Sequence, residues 1–234
     1  METIRSGTAE LCGAAARHLT RVLRVEPGQR YEISDSHFAW LAEIVEARGD
    51  RVVFRVLEPL VTMPPPVEID LSAALFKFDR FEWMIEKATE LGVDSILPVA
   101  TARTEKGLFE ASRKRSERWR RIALEAGQQS RRLRPPSIQP AVSFDHALAP
   151  VTALRYFLEE ASAPPFLRAL AGERPAGARV ALLTGPEGGW TDAERAAARH
   201  AGWQPVSLGP QILRAETAAL AAVAVLLNAC LGLD

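Results

Sequence analysis

The apolar run Leu182-Leu183-Thr184 passes directly into Gly185-Pro186-Glu187-Gly188-Gly189, and Thr191 and Glu194 follow with the spacing of a helix capping box. No other segment of this 234-residue chain restricts its fold as strongly. A buried strand, a loop whose missing Cβ atoms let the backbone approach a ligand, and a capped helix make the βα unit of an open α/β sheet. Such sheets bind ligands at the carboxyl ends of their strands. Tight turn geometry alone would also use glycine here. A second segment repeats the pattern: Val206-Ser207-Leu208 leads into Gly209, and Arg214, Glu216 and Thr217 then precede a nearly all-apolar helix, Ala218 to Leu231. A helix without a polar face has to be covered on every side, by the core or by a second subunit. The polar groups at its entrance have two readings. One is a helix start capped by Thr217 with an Arg214 to Glu216 ion pair; the other is chemistry aimed at a ligand.

The surrounding chain fits an α/β sheet covered on both faces. Val67 to Leu75 reads as a buried strand, Phe81 to Leu91 as a helix closed by Gly92, and Ser95 to Ala100 as the next strand. Helices around Arg115 to Gln129 and Ala193 to Ala201 and strands over Val180 to Thr184 and Val206 to Leu208 continue the alternation. Upstream the texture differs. Short β-rich runs, Tyr31 to Ile33 and Arg51 to Leu57, are separated by turn signals at Pro27-Gly28 and Gly49-Asp50. Between the two regions, Val61 to Val67 contains Pro64, Pro65 and Pro66, which supply no N–H donors and fix φ. The pattern predicts a small β-rich domain over 1–66 and an α/β domain over 67–234.

Hydrophobic residues make up 47% of the chain, enough for a substantial core. Twenty-nine basic residues balance 29 acidic ones, so any nucleic-acid footprint has to be local. One exists: Thr101 to Pro135 holds eleven basic and four acidic residues, a net of +7. A phosphate-contacting surface and a solvated basic helix face are both consistent with it. Cys12 and Cys230 lie at opposite ends, and the four histidines lack ligand spacing, so no metal site is expected. Glu2, Arg5 and Glu10 interrupt the N-terminus, which excludes a secretory signal there. Ala218 to Leu227 is far shorter than the roughly 20 residues that span a bilayer. The expected address is the cytoplasm, with no membrane partner. Neither GxGxxG nor GxxxxGK[ST] occurs, which sets aside the common dinucleotide and P-loop sites.

The segments Gly185 to Trp190 and Leu208 to Ala218 resemble the C-terminal knot motifs of the SPOUT methyltransferases, specifically the RsmE-like family that methylates N3 of a uridine in 16S ribosomal RNA. Lys77-Phe78-Asp79-Arg80 with Glu86 to Val93, the pair Arg103-Thr104, Glu117 to Trp119, Glu125 to Arg131 with Pro135, and His18 to Arg24 are similar to further family motifs in the same order. The resemblance thus covers nearly the whole chain.

It implies a parallel sheet domain with a deep trefoil knot, a small N-terminal PUA-like β-barrel that grips RNA, and a homodimer. S-adenosyl-L-methionine is the implied cofactor and 16S ribosomal RNA in the small ribosomal subunit the implied partner. One wall of the cofactor pocket would be Leu183, Thr184, Gly185, Glu187, Gly188 and Gly189. Leu208, Gly209, Ile212 and Leu213 would surround the adenine, with Thr217 and Ala218 completing the site. Methylation at N3 requires the uridine proton to leave, so a general base or local stabilisation of the anion is needed. Arg214 would supply the stabilisation, oriented by Glu216, itself a candidate base. Arg103, Lys106, Arg131, Arg132 and Arg134, joined by Arg21 and Arg24 from the N-terminal unit, are the expected RNA contacts. Two rivals stand beside this reading: a methyltransferase of the same fold acting on another RNA nucleoside, and an RNA-binding protein without catalytic activity.

Overall fold

The computed structural model describes the chain except residues 1, 6, 36, 62–63, 150–153, 161, 174–176 and 232–234. Two units separate, Met1–Pro64 and Pro65–Asp234. Residues 62 and 63 of the proline-rich segment fall outside the described residues.

The first unit is a five-stranded sheet of β1 (Glu2–Arg5), β2 (Thr8–Cys12), β3 (Arg30–Ser34), β4 (Ala39–Arg48) and β5 (Arg51–Leu60), in the order β1-β2-β5-β4-β3 with antiparallel neighbours. Gly49-Asp50 closes the β4 to β5 hairpin, pairing Arg48 with Arg51. A short helix, α1 (Gly13–Arg17), runs into one π-helical turn over His18–Val22, which Thr20 fastens by donating from Oγ1 to the carbonyl of Gly49 at 2.6 Å. Ala9, Ala16, Val25, Ile33, Ala42, Ile44, Val52 and Phe54 form this unit's core.

In the second unit, β6 (Glu68–Ala74), β7 (Ser95–Ala100), β10 (Leu154–Leu158), β11 (Arg179–Thr184) and β12 (Gln204–Val206) form one parallel sheet with the two-residue strands β8 (Ser137–Ile138) and β9 (Val142–Ser143). The order is β12-β10-β11-β6-β7-β8, with β9 also on β7. Strand alternation sends side chains to two cores. Val180 and Leu182 join Ile69, Leu71 and Tyr156 on one face, whereas Ala181 and Leu183 join Val99, Phe157, Trp190 and Trp203 on the other. The first face is covered by α2 (Phe78–Glu90), α4 (Ser116–Gln129), α6 (Phe166–Glu173) and the long α8 (Ala215–Leu231); α3 (Leu108–Ser112) leads into α4. The second face carries α5 (Phe144–Ala147) and α7 (Asp192–His200).

Helix α2 ends in a Schellman arrangement, with Gly92 N bonded to Thr89 O and Val93 N to Ala88 O, both at 3.1 Å. After the edge strand β12 the chain returns to the middle of the sheet, where α8 packs on α2, α6, β6 and β11. This helix begins at Ala215, three residues before the expected Ala218, and Ala218 N bonds to Arg214 O at 2.8 Å. Thr217 therefore sits in the first helical turn and is not the N-cap. Among the described residues no helix is long and apolar enough to cross a membrane.

Candidate functional site

The carboxyl ends of β10, β11 and β12 open into one cleft. Its apolar walls are Leu158, Leu208, Leu213, Ala215 and Ala218, its backbone edges Gly185, Pro186, Gly189 and Gly209, and its carboxylates Glu159 and Glu160. Of the residues expected around a cofactor, Gly185, Gly189, Leu208, Gly209, Leu213 and Ala218 line this cleft.

The loop after β11 is shaped by one indole. Trp190 donates from Nε1 to Leu158 O at 2.7 Å and packs against Phe144 and Phe157. A Cβ at Gly185 would stand 3.0 Å from that ring, so any side chain there would press on the indole. Gly189 takes φ +68°, which favours glycine. Beyond the loop, the capping box forms: Thr191 Oγ1 accepts from Glu194 N, and Thr191 N donates back to Glu194 Oε2 at 2.9 Å. The other oxygen of Glu194 accepts from Ala102 N at 2.8 Å, tying the loop after β7 to the start of α7. Glu159, buried at 4%, is bound by Arg195 at 2.8 Å, and that carboxylate holds the Arg195 guanidinium protonated still more firmly than usual.

A second cleft lies on the other side of the same segment. Arg214, Glu216 and Thr217 line it together with Asp79, Arg80 and Trp83, whereas their neighbours Leu213, Ala215 and Ala218 line the first. Residues 213–218 are thus a wall shared by two cavities. Glu216 is buried at 6%, with Oε2 lacking a hydrogen-bond partner and Oε1 3.9 Å from Arg80 Nε. Arg80 also binds Glu187 at 2.6 Å. The expected Arg214 to Glu216 pair gives way to this arrangement: Glu216 is buried and faces Arg80, whereas Arg214 is exposed and makes no ion pair among the described residues.

The remaining expected residues divide. Glu187 and Thr217 belong to the second cleft's surroundings; Leu183 and Thr184 are fully buried at the end of β11, with Thr184 Oγ1 unpartnered; Ile212 is 86% exposed and outside the first cleft's lining. Gly188 accepts a hydrogen bond from Arg103 through its carbonyl, which turns that arginine toward the loop. Arg132 is held inward, donating to the carbonyls of Thr89 and Val93 and pairing with Asp94 at 3.4 Å, so it completes the end of α2 in place of contacting phosphate. Lys106, Arg131 and Arg134 are exposed on the second unit, and Arg21 and Arg24 on the first. Arg24 and Arg131 carry φ of 51° and 54°, a strained conformation for a side-chain-bearing residue. Sequence reading missed Glu159 and Glu160, because β10 is short and interrupted by Arg155, and passed over Trp83, which stands three residues beyond Arg80.

A family model described as an RNA methyltransferase domain matches residues 63–227, and one described as an RNA methyltransferase PUA domain matches residues 11–57. Ribosomal RNA small subunit methyltransferase E of Synechocystis sp. is 36% identical over 95% of this chain and 74% of that protein. The Bacillus subtilis protein of the same name is 30% identical over 94% of this chain and 89% of its own. The crystal structure of ribosomal RNA small subunit methyltransferase E from Neisseria gonorrhoeae bound to S-adenosyl methionine superimposes with a TM-score of 0.85 at 33% identity, covering 95% of this chain and 92% of the other. With one family model spanning most of the chain and a relative 36% identical over 95% of it, the protein belongs to the ribosomal RNA small subunit methyltransferase E family.

Proposed function

We propose that the protein transfers a methyl group from S-adenosylmethionine to N3 of a uridine in 16S ribosomal RNA of the small subunit. The observation that carries this is the shared wall at 213–218, with a backbone-edged apolar cleft on one side and a buried carboxylate beside two arginines on the other. The first cleft suits the cofactor. Leu158, Leu208 and Leu213 offer an apolar slot, Gly185, Gly189 and Gly209 leave backbone within reach of a ligand, and Glu160, which has no ion pair among the described residues, complements a cationic ligand. The cofactor supplies a methyl group on a positively charged sulfur. On the other side, Glu216 Oε2 accepts the N3 proton, and Arg214 stabilises the negative charge that develops on the uracil. Arg80 holds Glu216 and, through Glu187, the loop after β11. Because N3 lies on the pairing edge, the target uridine is unpaired or splayed out when it enters.

Three wider features belong to the same reading. The exposed or half-exposed face of α8, comprising Thr217, Ala221, Ala224, Asn228 and Leu231, supports a homodimer, since small residues there allow close approach of a second copy. The return of the chain from β12 to α8 over the sheet centre supports a trefoil knot. Free thiols at Cys12 and Cys230 accord with work in the cytoplasm, where ribosomes are assembled.

Incubating the protein with S-adenosylmethionine and small subunits lacking the modification, alongside naked 16S RNA, tests the function by mass spectrometry of nucleosides. The expected product is 3-methyluridine. Glu216→Gln should lower turnover by about 100-fold or more while leaving cofactor affinity in place. Another methylated nucleoside would overturn the assignment of the base, and no product despite cofactor binding would overturn the function.

A further inference from the structure

Trp83 stands 47% exposed on α2, whereas Trp119, Trp190 and Trp203 are buried. Of the other large apolar residues of this helix, Phe81, Met84 and Ile85 are buried and Phe78 is half-buried. A lone exposed apolar side chain is ordinary on a protein surface; Trp83 differs in lining a cleft whose other wall carries charged groups. Its neighbours one turn back are Asp79 and Arg80, and the three residues share a helix face. That face looks into the second cleft, opposite Arg214, Glu216 and Thr217.

We propose that Trp83 is the platform on which the target base stacks. The inference rests on the methyl transfer proposed above and adds the residue that holds the acceptor. Stacking engages the face of a base and leaves its edge free, which is what a reaction at N3 needs: the ring lies on the indole while its pairing edge meets Glu216 and Arg214. Arg214, exposed and without an ion pair among the described residues, shares the cleft with Trp83 and is the cation there for the attached ribose-phosphate. An indole accepts any base, so Trp83 contributes affinity and orientation, and the choice of uridine falls to the polar side chains around it.

The test uses the full chain with Trp83→Ala and Trp83→Phe. Cofactor affinity is measured by calorimetry, oligomeric state by light scattering, steady-state kinetics on undermodified small subunits, and tryptophan fluorescence during addition of an unstructured RNA spanning the target. Trp83→Ala is expected to raise KM for RNA by about tenfold or more, with kcat falling less and with cofactor affinity and oligomeric state unchanged. It should also abolish an RNA-dependent quench seen in the unaltered protein, and Trp83→Phe should restore most of the KM. A Trp83→Ala protein with unaltered KM and quench would overturn the proposal. So would one that changes oligomeric state, which would place Trp83 in a contact between copies. Failure of the underlying reading is distinguishable: a methylated nucleoside other than 3-methyluridine would revise the base, while a quench lost on substitution would still establish the platform.

Discussion

A methyl group on Gly185 would press on its neighbour. Its Cβ would meet Trp190 at 3.0 Å from Cε2 and 3.2 Å from Nε1, and the indole cannot retreat, because Nε1 is bonded to Leu158 O and the ring is flanked by Phe144 and Phe157. Gly185→Ala should therefore displace the loop that edges the cofactor cleft. Overpacking of this kind destabilises by about 1–3 kcal/mol, and cofactor affinity, read by calorimetry, should fall about tenfold. An affinity equal to that of the unaltered protein would remove Gly185 from the cofactor wall. A glycine at 185 is legible in the sequence as a residue of a tight turn or of a close backbone approach. What presses on it is not legible, because Trp190 is anchored by β10, a five-residue strand containing Arg155 that leaves no clear period. Arg214 and Glu216 show the same boundary. Their residue types point to chemistry, yet the partner of Glu216 is set by a helix more than a hundred positions upstream, where Arg80 takes the role that local spacing gave to Arg214.

At the level of elements, helix α7 is fixed at both ends of one glutamate. The capping box of Thr191 and Glu194 satisfies the first turn, and the second oxygen of Glu194 reaches Ala102 N across 92 residues. The two halves of the box should consequently differ in worth. Thr191→Ala should cost about 1 kcal/mol, the ordinary value of an N-cap, and lower Tm by about 2–4 °C. Glu194→Ala also strands the amide of Ala102 and should cost about 2–3 kcal/mol. Thermal melts of the single and double substitutions check this; equal single losses would mean that the bridge to Ala102 contributes nothing. The box could be read directly from Thr191-x-x-Glu194, whereas the bridge could not, since no local pattern records a contact between two loops. Similar physics explains the start of α8. Glu216 and Thr217 look like residues ahead of a helix because polar groups favour caps, but the helix carries them in its first turn, with the carbonyl of Arg214 accepting the bond from Ala218 N. Strands β8 and β9 are only two residues long, too short for an alternation to appear.

Across the whole molecule the charges cancel, and RNA affinity depends on how many of the clustered cations are available. Within the +7 segment, Arg132 is spent on carbonyls and Asp94, Arg103 on the carbonyl of Gly188, Arg115 and Arg118 on Glu82, Arg113 on Glu110, and Arg121 on Glu125. Lys106, Lys114, Arg120 and Arg134 make no ion pair or side-chain hydrogen bond among the described residues, and Arg21 and Arg24 add two exposed cations from the first unit. Each phosphate neutralised contributes about −0.7 to −0.9 to the slope of log K against log salt, so these six cations predict a slope of roughly −4 to −5. Had all eleven basic residues of the segment engaged phosphate with the two from the first unit, the slope would lie near −9 to −12. Titrating a labelled 16S fragment by fluorescence anisotropy across potassium chloride concentrations separates the two cases. A slope between −4 and −5 that flattens by about two on replacing Arg120 and Arg134 with alanine would place the RNA over α4 and the loop after it. A slope near −1 would mean that the basic segment faces away from the RNA, and one beyond −8 would mean that the ion pairs on Glu82, Glu110 and Glu125 open to bind it.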